Sequence, residues 1–225
     1  MEMLFLSIPN FHDKKIISYI FPFIDIAKEC GVKHIVFLSL LGAEKNVIVP
    51  HHKIEKHLQS CGIEYTFLRA SFFMQNLSTT HQDEIRRAWE ICVPAGRGKT
   101  SFIDIRDIAE VAAHCLLESG HENRGYDLTG RDALDYFQVA DILSQTLNRR
   151  ILYKNSTLTT FYRKMRAKGL PAMFVVVMIG IYTTAKLGLA KRTTMDIEQL
   201  LGRKPITLQQ FARDYAICWQ SPSSI

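Results

Sequence analysis

Apolar runs alternate with amphipathic stretches through the first 70 residues. Met3–Ile8 (MLFLSI), His34–Ser39 (HIVFLS) and Glu64–Arg69 (EYTFLR) have the length and composition of buried strands. Between the first two, a helical pattern runs from Asp13, placed as its cap, to Cys30, with Gly31 as the residue that ends it. Pro22 removes one ladder hydrogen bond from this helix and predicts a kink. Pro50 opens a second helix that carries Ile54, Leu58 and Cys61 on one face and stops at Gly62. Strand, helix, strand, helix, strand in this order implies right-handed crossovers and a parallel sheet.

Farther along, capping patterns replace strand patterns. Asp107-x-x-Glu110 reads as a capping box before Ile108, Ala109, Val111 and Ala112, with Gly120 at the far end. Asp135-x-x-Gln138 opens a helix containing Val139, Ile142, Leu143 and Leu147. Thr207-x-x-Gln210, between Ile206 and Phe211, combines a capping box with a hydrophobic staple. From about Asp135 onward the chain is expected to be mostly helical. The fold class is α/β.

Composition narrows the class. A chain that is 47% hydrophobic and 22% charged can bury a core, which excludes disorder. Five cysteines, an odd number without C-x-x-C spacing, point to reduced thiols and a cytoplasmic setting. The opening Met-Glu-Met-Leu-Phe lacks the basic start of a secretion signal, so none is expected.

Charge is unevenly placed. Residues 1–120 hold 13 Lys and Arg against 14 Asp and Glu, whereas residues 121–225 hold 15 against 8. Between Asp141 and Asp196 there are ten bases and no acid. Such a segment is either a solvated basic face or a surface for an anionic ligand, nucleic acid or membrane. Aromatics are not interleaved with the bases as a stacking platform requires, so nucleic acid is not expected. Inside the segment, Gly169 to Ala185 is 17 uncharged residues, short of the ~20 that span a bilayer. A buried helix covering a pocket is the expectation, with interfacial membrane association as the alternative.

Three short motifs invite chemistry. Gly96-Arg97-Gly98-Lys99-Thr100-Ser101 lacks the spacing of a phosphate loop, and Ser101–Ile105 after it reads as a strand, so it is expected to be a turn between strands. Tyr182-x-x-x-Lys186 has the spacing by which lysine lowers a tyrosine's pKa, but roughly 0.5 such pairs arise by chance in a chain of this composition. His51-x-x-x-Glu55 is hardly rarer, yet it starts the helix after a strand ending in Ser39, where parallel strands open a ligand crevice. There His51 could donate to a ribose hydroxyl or a carbonyl, with Glu55 fixing its orientation. The alternative is an exposed pair. His51, His52 and His57 lack a further acid or Cys at metal spacing, so no metal is expected.

Several blocks together resemble the NmrA-like proteins, atypical short-chain dehydrogenase/reductases that include NAD(P)H-dependent quinone and triphenylmethane reductases. They are Val32–Ser39 with Gly42-Ala43, His51-x-x-x-Glu55, Cys61-Gly62-Ile63-x-Tyr65-Thr66-x-Leu68-Arg69, Phe72-Phe73-Met74-Gln75-Asn76, Ile103–Ala109, Leu128-Thr129-Gly130 and Leu201–Pro205. The resemblance implies a Rossmann-like parallel sheet in a partial NAD(P)-binding domain at 1–134 and a helical substrate part at 135–225. It further implies that the sheet is truncated, because family members begin with a strand and Gly-rich turn ahead of the strand that Met3–Ile8 resembles. That turn carries the pyrophosphate, so impaired cofactor binding is expected, with NADP or NAD held through the nicotinamide side alone. The implied contacts are Ser7, Ile8, Pro9, Ser39, Leu40, His51, Ser71, Phe72 and Phe73.

By the same resemblance, His51 stands where relatives with a Tyr/Lys dyad carry the lysine, and no tyrosine stands near Val47. Hydride transfer to a small aromatic or quinone-like acceptor fits better than alcohol oxidation, with His51 and Asn76 as catalytic candidates. Phe72, Phe73 and the apolar 169–185 helix would line the acceptor pocket. A homo-oligomer through the exposed sheet edge is a further expectation. Two alternatives stay open: a non-catalytic redox-sensing or regulatory protein, and an inactive remnant.

Overall fold

The computed structural model describes residues 2–8 and 15–220. The chain divides into two compact units that interleave along the sequence. One comprises residues 1–71, 106–128 and 194–204, the other 72–105, 129–193 and 205–225. Residues 72–105 and 129–134, in the sheet half of the sequence reading, therefore pack with the second unit.

The first unit is built on one parallel sheet. Its strands β1 (Met3–Leu6), β2 (His34–Leu40), β3 (Glu64–Ala70) and β6 (Arg124–Leu128) lie in the order β1-β2-β3-β6. Helices α1 (Ile16–Glu29) and α2 (Pro50–Ser60) make the first two crossovers, and α3 (Ile105–Leu117) leads into β6. Ile24, Ile35, Phe37, Ile54, Leu58 and Phe67 form the core between them. β2 and β3 place large side chains on both faces of a covered sheet, whereas β1, expected to be buried as well, leaves Met3 and Phe5 exposed. Pro22 sits inside α1, and Gly31 ends it at φ 85°, a backbone region that favours glycine. The proposed cap Asp13 lies outside the described residues.

One sequence expectation changes here. α3 already begins at Ile105, so Asp107 lies in its first turn and does not cap it. The Asp107 and Glu110 carboxylates instead receive Arg203, whose Nη1 is 2.7 Å from Asp107 Oδ1 and whose Nη2 bonds Glu110. Asp107 is fully buried, so the pair fastens the returning segment 194–204. In that segment Asp196 accepts the Asp127 N–H at 2.6 Å, and the Thr194 hydroxyl donates to the Asp127 carbonyl.

The second unit contains β4 (Glu90–Val93) paired with β8 (Leu152–Asn155), β5 (Thr100–Ser101) paired with β7 (Ala133–Leu134), and helices α4 (Tyr136–Thr146), α5 (Leu158–Ala167), α6 (Ala172–Lys186) and α8 (Leu208–Asp214). Helix α7 (Asp196–Leu201) belongs to the first unit. Asp135 and Gln138 make both halves of the expected capping box. Thr207 accepts the Gln210 N–H, while the Gln210 side chain turns to Asp214. Gly96–Lys99 forms the turn between β4 and β5, but the strand after it is Thr100–Ser101 alone, and Ile105, read as strand, opens α3. Gly98 is required there, because a Cβ would stand 2.0 Å from the Ala185 carbonyl oxygen. Among the described residues no helix is long and apolar enough to cross a membrane.

Candidate functional site

Parallel strands leave their carboxyl ends together, and β2 and β3 end in register as Ser39 opposite Arg69. Arg69 is a charge that follows the buried Phe67 and Leu68 near the end of β3, so it needs a partner. That partner comes from α2, whose entry is set by an extended Val49 and by Pro50. One turn into this helix, Glu55 is 3% exposed and faces the strand ends. Its carboxylate accepts the Ser39 hydroxyl at 2.6 Å and Arg69 Nε and Nη2 at 3.0 and 2.7 Å. Glu44 stands 3.7 Å from the same guanidinium. Burial opposes charge on Arg69, but the bond and charge of Glu55, with Glu44 and Asp127, outweigh it and hold its pKa above the ordinary value. Gly125 on β6 leaves the space, since a Cβ there would be 3.1 Å from Arg69 Nη1.

His51 lies in the first turn of α2, buried, its ring stacked on Phe37 with centroids 6.0 Å apart. Burial pushes its pKa down to about 4, so the imidazole is neutral at pH 7 and can both donate and accept a hydrogen bond. The Glu55 carboxylate, expected to orient His51, is engaged by Ser39 and Arg69. His52 bonds the Ala43 carbonyl at 2.8 Å, and His57 pairs with Asp25 at 2.9 Å while stacking on Phe21.

The other candidate contacts separate by environment. Ser7 is exposed just past β1 and Ile8 is buried. Pro9 lies outside the described residues. Ser39 is buried and committed to Glu55, while Leu40 is half-buried at the end of β2. Ser71 is half-buried, its N–H donating to the Leu128 carbonyl at 2.9 Å. Thus the structure brings together Ser39, Glu55 and Arg69, and the sequence reading had missed Arg69. A basic side chain interrupting a buried strand was the available signal.

Phe72, Phe73 and Asn76 belong to the second unit. The Phe72 ring meets Phe102 edge-on at 5.6 Å and lies 6.0 Å from the Tyr182 ring of α6, so Phe72 packs against that helix. Phe73 is half-buried and bridges Ile103. Asn76 is half-buried in a 3-10 turn, its carbonyl accepting the His81 N–H at 3.0 Å. Its neighbour Gln75 is the anchored amide, donating to Asp104 at 2.8 Å and accepting from the Ile105 N–H at 3.1 Å.

Tyr182 is tied to a histidine. Its hydroxyl lies 2.7 Å from His81 Nε2, and His81 Nδ1 faces buried Glu84 at 3.6 Å. Lys164 and Lys168 reach Glu84 at 3.0 and 3.1 Å. Burial alone would raise the Glu84 pKa, but His81 and the two lysines bring it down to about 2. Tyr182 is pushed well above the ordinary phenol range by burial, and Lys186 is exposed at the helix end. Such a phenol does not ionise near neutral pH.

The sequence profile of the NmrA-like family matches residues 2–212. The "Uncharacterized oxidoreductase YesF" of Bacillus subtilis (strain 168) is 32% identical over 206 residues, which are 90% of this chain and 71% of that protein. The "NAD(P)H azoreductase" of Xenophilus azovorans is 34% identical over 197 residues, 86% of this chain and 68% of that protein. Among solved structures, the NADPH-dependent quinone oxidoreductase QOR2 of Escherichia coli in complex with NADPH superposes with a TM-score of 0.84 at 26% identity, covering 95% of this chain and 76% of that one. The triphenylmethane reductase of Citrobacter sp. shares the fold with a TM-score of 0.84 at 23% identity, covering 96% and 76%. By the profile match and these identities, the chain belongs to the NmrA-like family.

Proposed function

We propose that the chain is an NAD(P)H-dependent reductase acting on quinone- or dye-like aromatic acceptors. The azoreductase relative and the quinone oxidoreductase solved with NADPH support this reading. The observation that carries it is the neutral, buried His51 beside the carboxyl end of a parallel sheet, where α/β folds bind such ligands. The residues proposed for the nicotinamide end of the cofactor are exposed Ser7 after β1 and half-buried Leu40 and Ser71 at the ends of β2 and β3. A bound nicotinamide supplies the hydride. The Ser39–Glu55–Arg69 network holds α2 and both strand ends in place. His51 offers a hydrogen bond without a charge. Asn76, in the second unit, is a separate candidate whose amide donates and accepts. With Tyr182 unable to ionise, a Tyr/Lys proton relay is no part of the proposal.

Two further features complete the proposal. Among the described residues β1 pairs only with β2, and Met3 and Phe5 are 38% and 41% exposed. In the same unit α1 exposes Tyr19, Phe23 and Ile26 at helical spacing. An open edge and an apolar stripe fit a second copy, related by a two-fold axis. All five cysteines are free, in keeping with a reducing compartment such as the cytoplasm.

Site variants test the assignment. His51→Ala and Asn76→Ala are expected to lower NADPH-driven quinone reduction by ~10²-fold, the usual effect of one lost catalytic hydrogen bond. Lys186→Ala should stay within about twofold of the parent chain. Full rates for both site variants would overturn the assignment.

A further inference from the structure

Helix α6 has two faces of different meaning. Val175, Met178, Tyr182 and Ala185 are buried in the second unit's core. The opposite face presents Met173, Val176, Gly180, Thr184 and Leu187, all exposed, and Ile181 and Leu189 are exposed beside it. No charged side chain occurs between Lys168 and Lys186, so this solvent-facing surface is apolar for the whole helix. An ordinary surface helix carries charges there. The expectation of a buried helix covering a pocket is thereby corrected to a helix buried along one face only.

The flanks supply the second observation. Arg163 and Arg166 precede the helix, Lys186 and Lys191 follow its apolar face, and all four are exposed. No acid occurs from residue 142 to 195. Two copies meeting through this face would bring like charges together. Anionic headgroups would instead pair with the bases while the apolar side chains enter the acyl boundary. At 15 residues the helix can lie in an interface and cannot cross a bilayer.

We propose that the exposed face of α6 seats the protein reversibly on an anionic membrane surface. The proposal uses the face of α6 turned away from Tyr182 and Phe72, and its test reads no reductase activity.

The test is co-sedimentation of the full chain with vesicles of phosphatidylcholine alone or with about one third phosphatidylglycerol. The chain should partition onto the anionic vesicles at least about tenfold more than onto the neutral ones, and raised salt should reduce the difference. Val176→Glu and Leu187→Glu alter exposed positions, and circular dichroism checks their fold. Each should lower partition at least about tenfold. Lys191→Gln should lower it by about fivefold, the effect of one basic group near such a surface. Equal partition onto both vesicles, or folded Glu variants that bind as the parent does, would overturn the proposal. So would a shift from dimer to monomer caused by Val176→Glu, which would assign the face to a second copy.

Discussion

His51 owes its neutrality to burial against Phe37, and that has a consequence for stability. Its pKa of about 4 in the folded chain lies below the unfolded value near 6.5. The unfolded state therefore binds the proton first as pH falls, so this share of stability is complete above about pH 6.5 and fades toward pH 4. The difference corresponds to about 3 kcal/mol. His51→Gln should lose that component: urea unfolding midpoints of parent and variant should converge between pH 6.5 and 4. A gap independent of pH would remove burial as the cause. At the same scale, the His51–Glu55 spacing was legible in the sequence while the partner of Glu55 was not. Spacing along a helix shows which side chains share a face; only strand register placed Arg69 and Ser39 before that face.

Elements were legible where local signals and packing agreed. The three apolar runs and the Asp135 capping box appear where the sequence placed them. Asp107-x-x-Glu110 had the cap pattern, but the Arg203 guanidinium, 96 residues away, claims the Asp107 carboxylate. A capping pattern carries no information about such a distant partner. The turn at Gly96–Lys99 was legible as a turn, whereas the need for glycine at position 98 comes from the end of α6. Gly98→Ala forces backbone apart and should lower stability by at least about 2 kcal/mol in denaturant melts, with Gly188→Ala excluded as a control because its positive φ strains alanine for a separate reason. An unchanged midpoint for Gly98→Ala would show that the loop and helix do not meet so closely.

At the scale of the whole molecule, the two compact units interleave, which no local pattern announces. Segment 194–204 returns to the first unit and is fastened through Asp107, Glu110 and Asp127. The exposed β1 edge and the α1 stripe of Tyr19, Phe23 and Ile26 predict self-association. Light scattering at micromolar concentration should give a dimer or larger species, and Phe23→Lys should shift it toward the monomer; a parent chain that is monomeric throughout would contradict this. The central claim is that the chain moves hydride from NAD(P)H to an aromatic acceptor. It is tested most directly by following NADPH absorbance with the purified chain in the presence and absence of a quinone. Acceptor-dependent NADPH oxidation that falls ~10²-fold in His51→Ala is the predicted result, and quinone-independent absorbance with no turnover would contradict it.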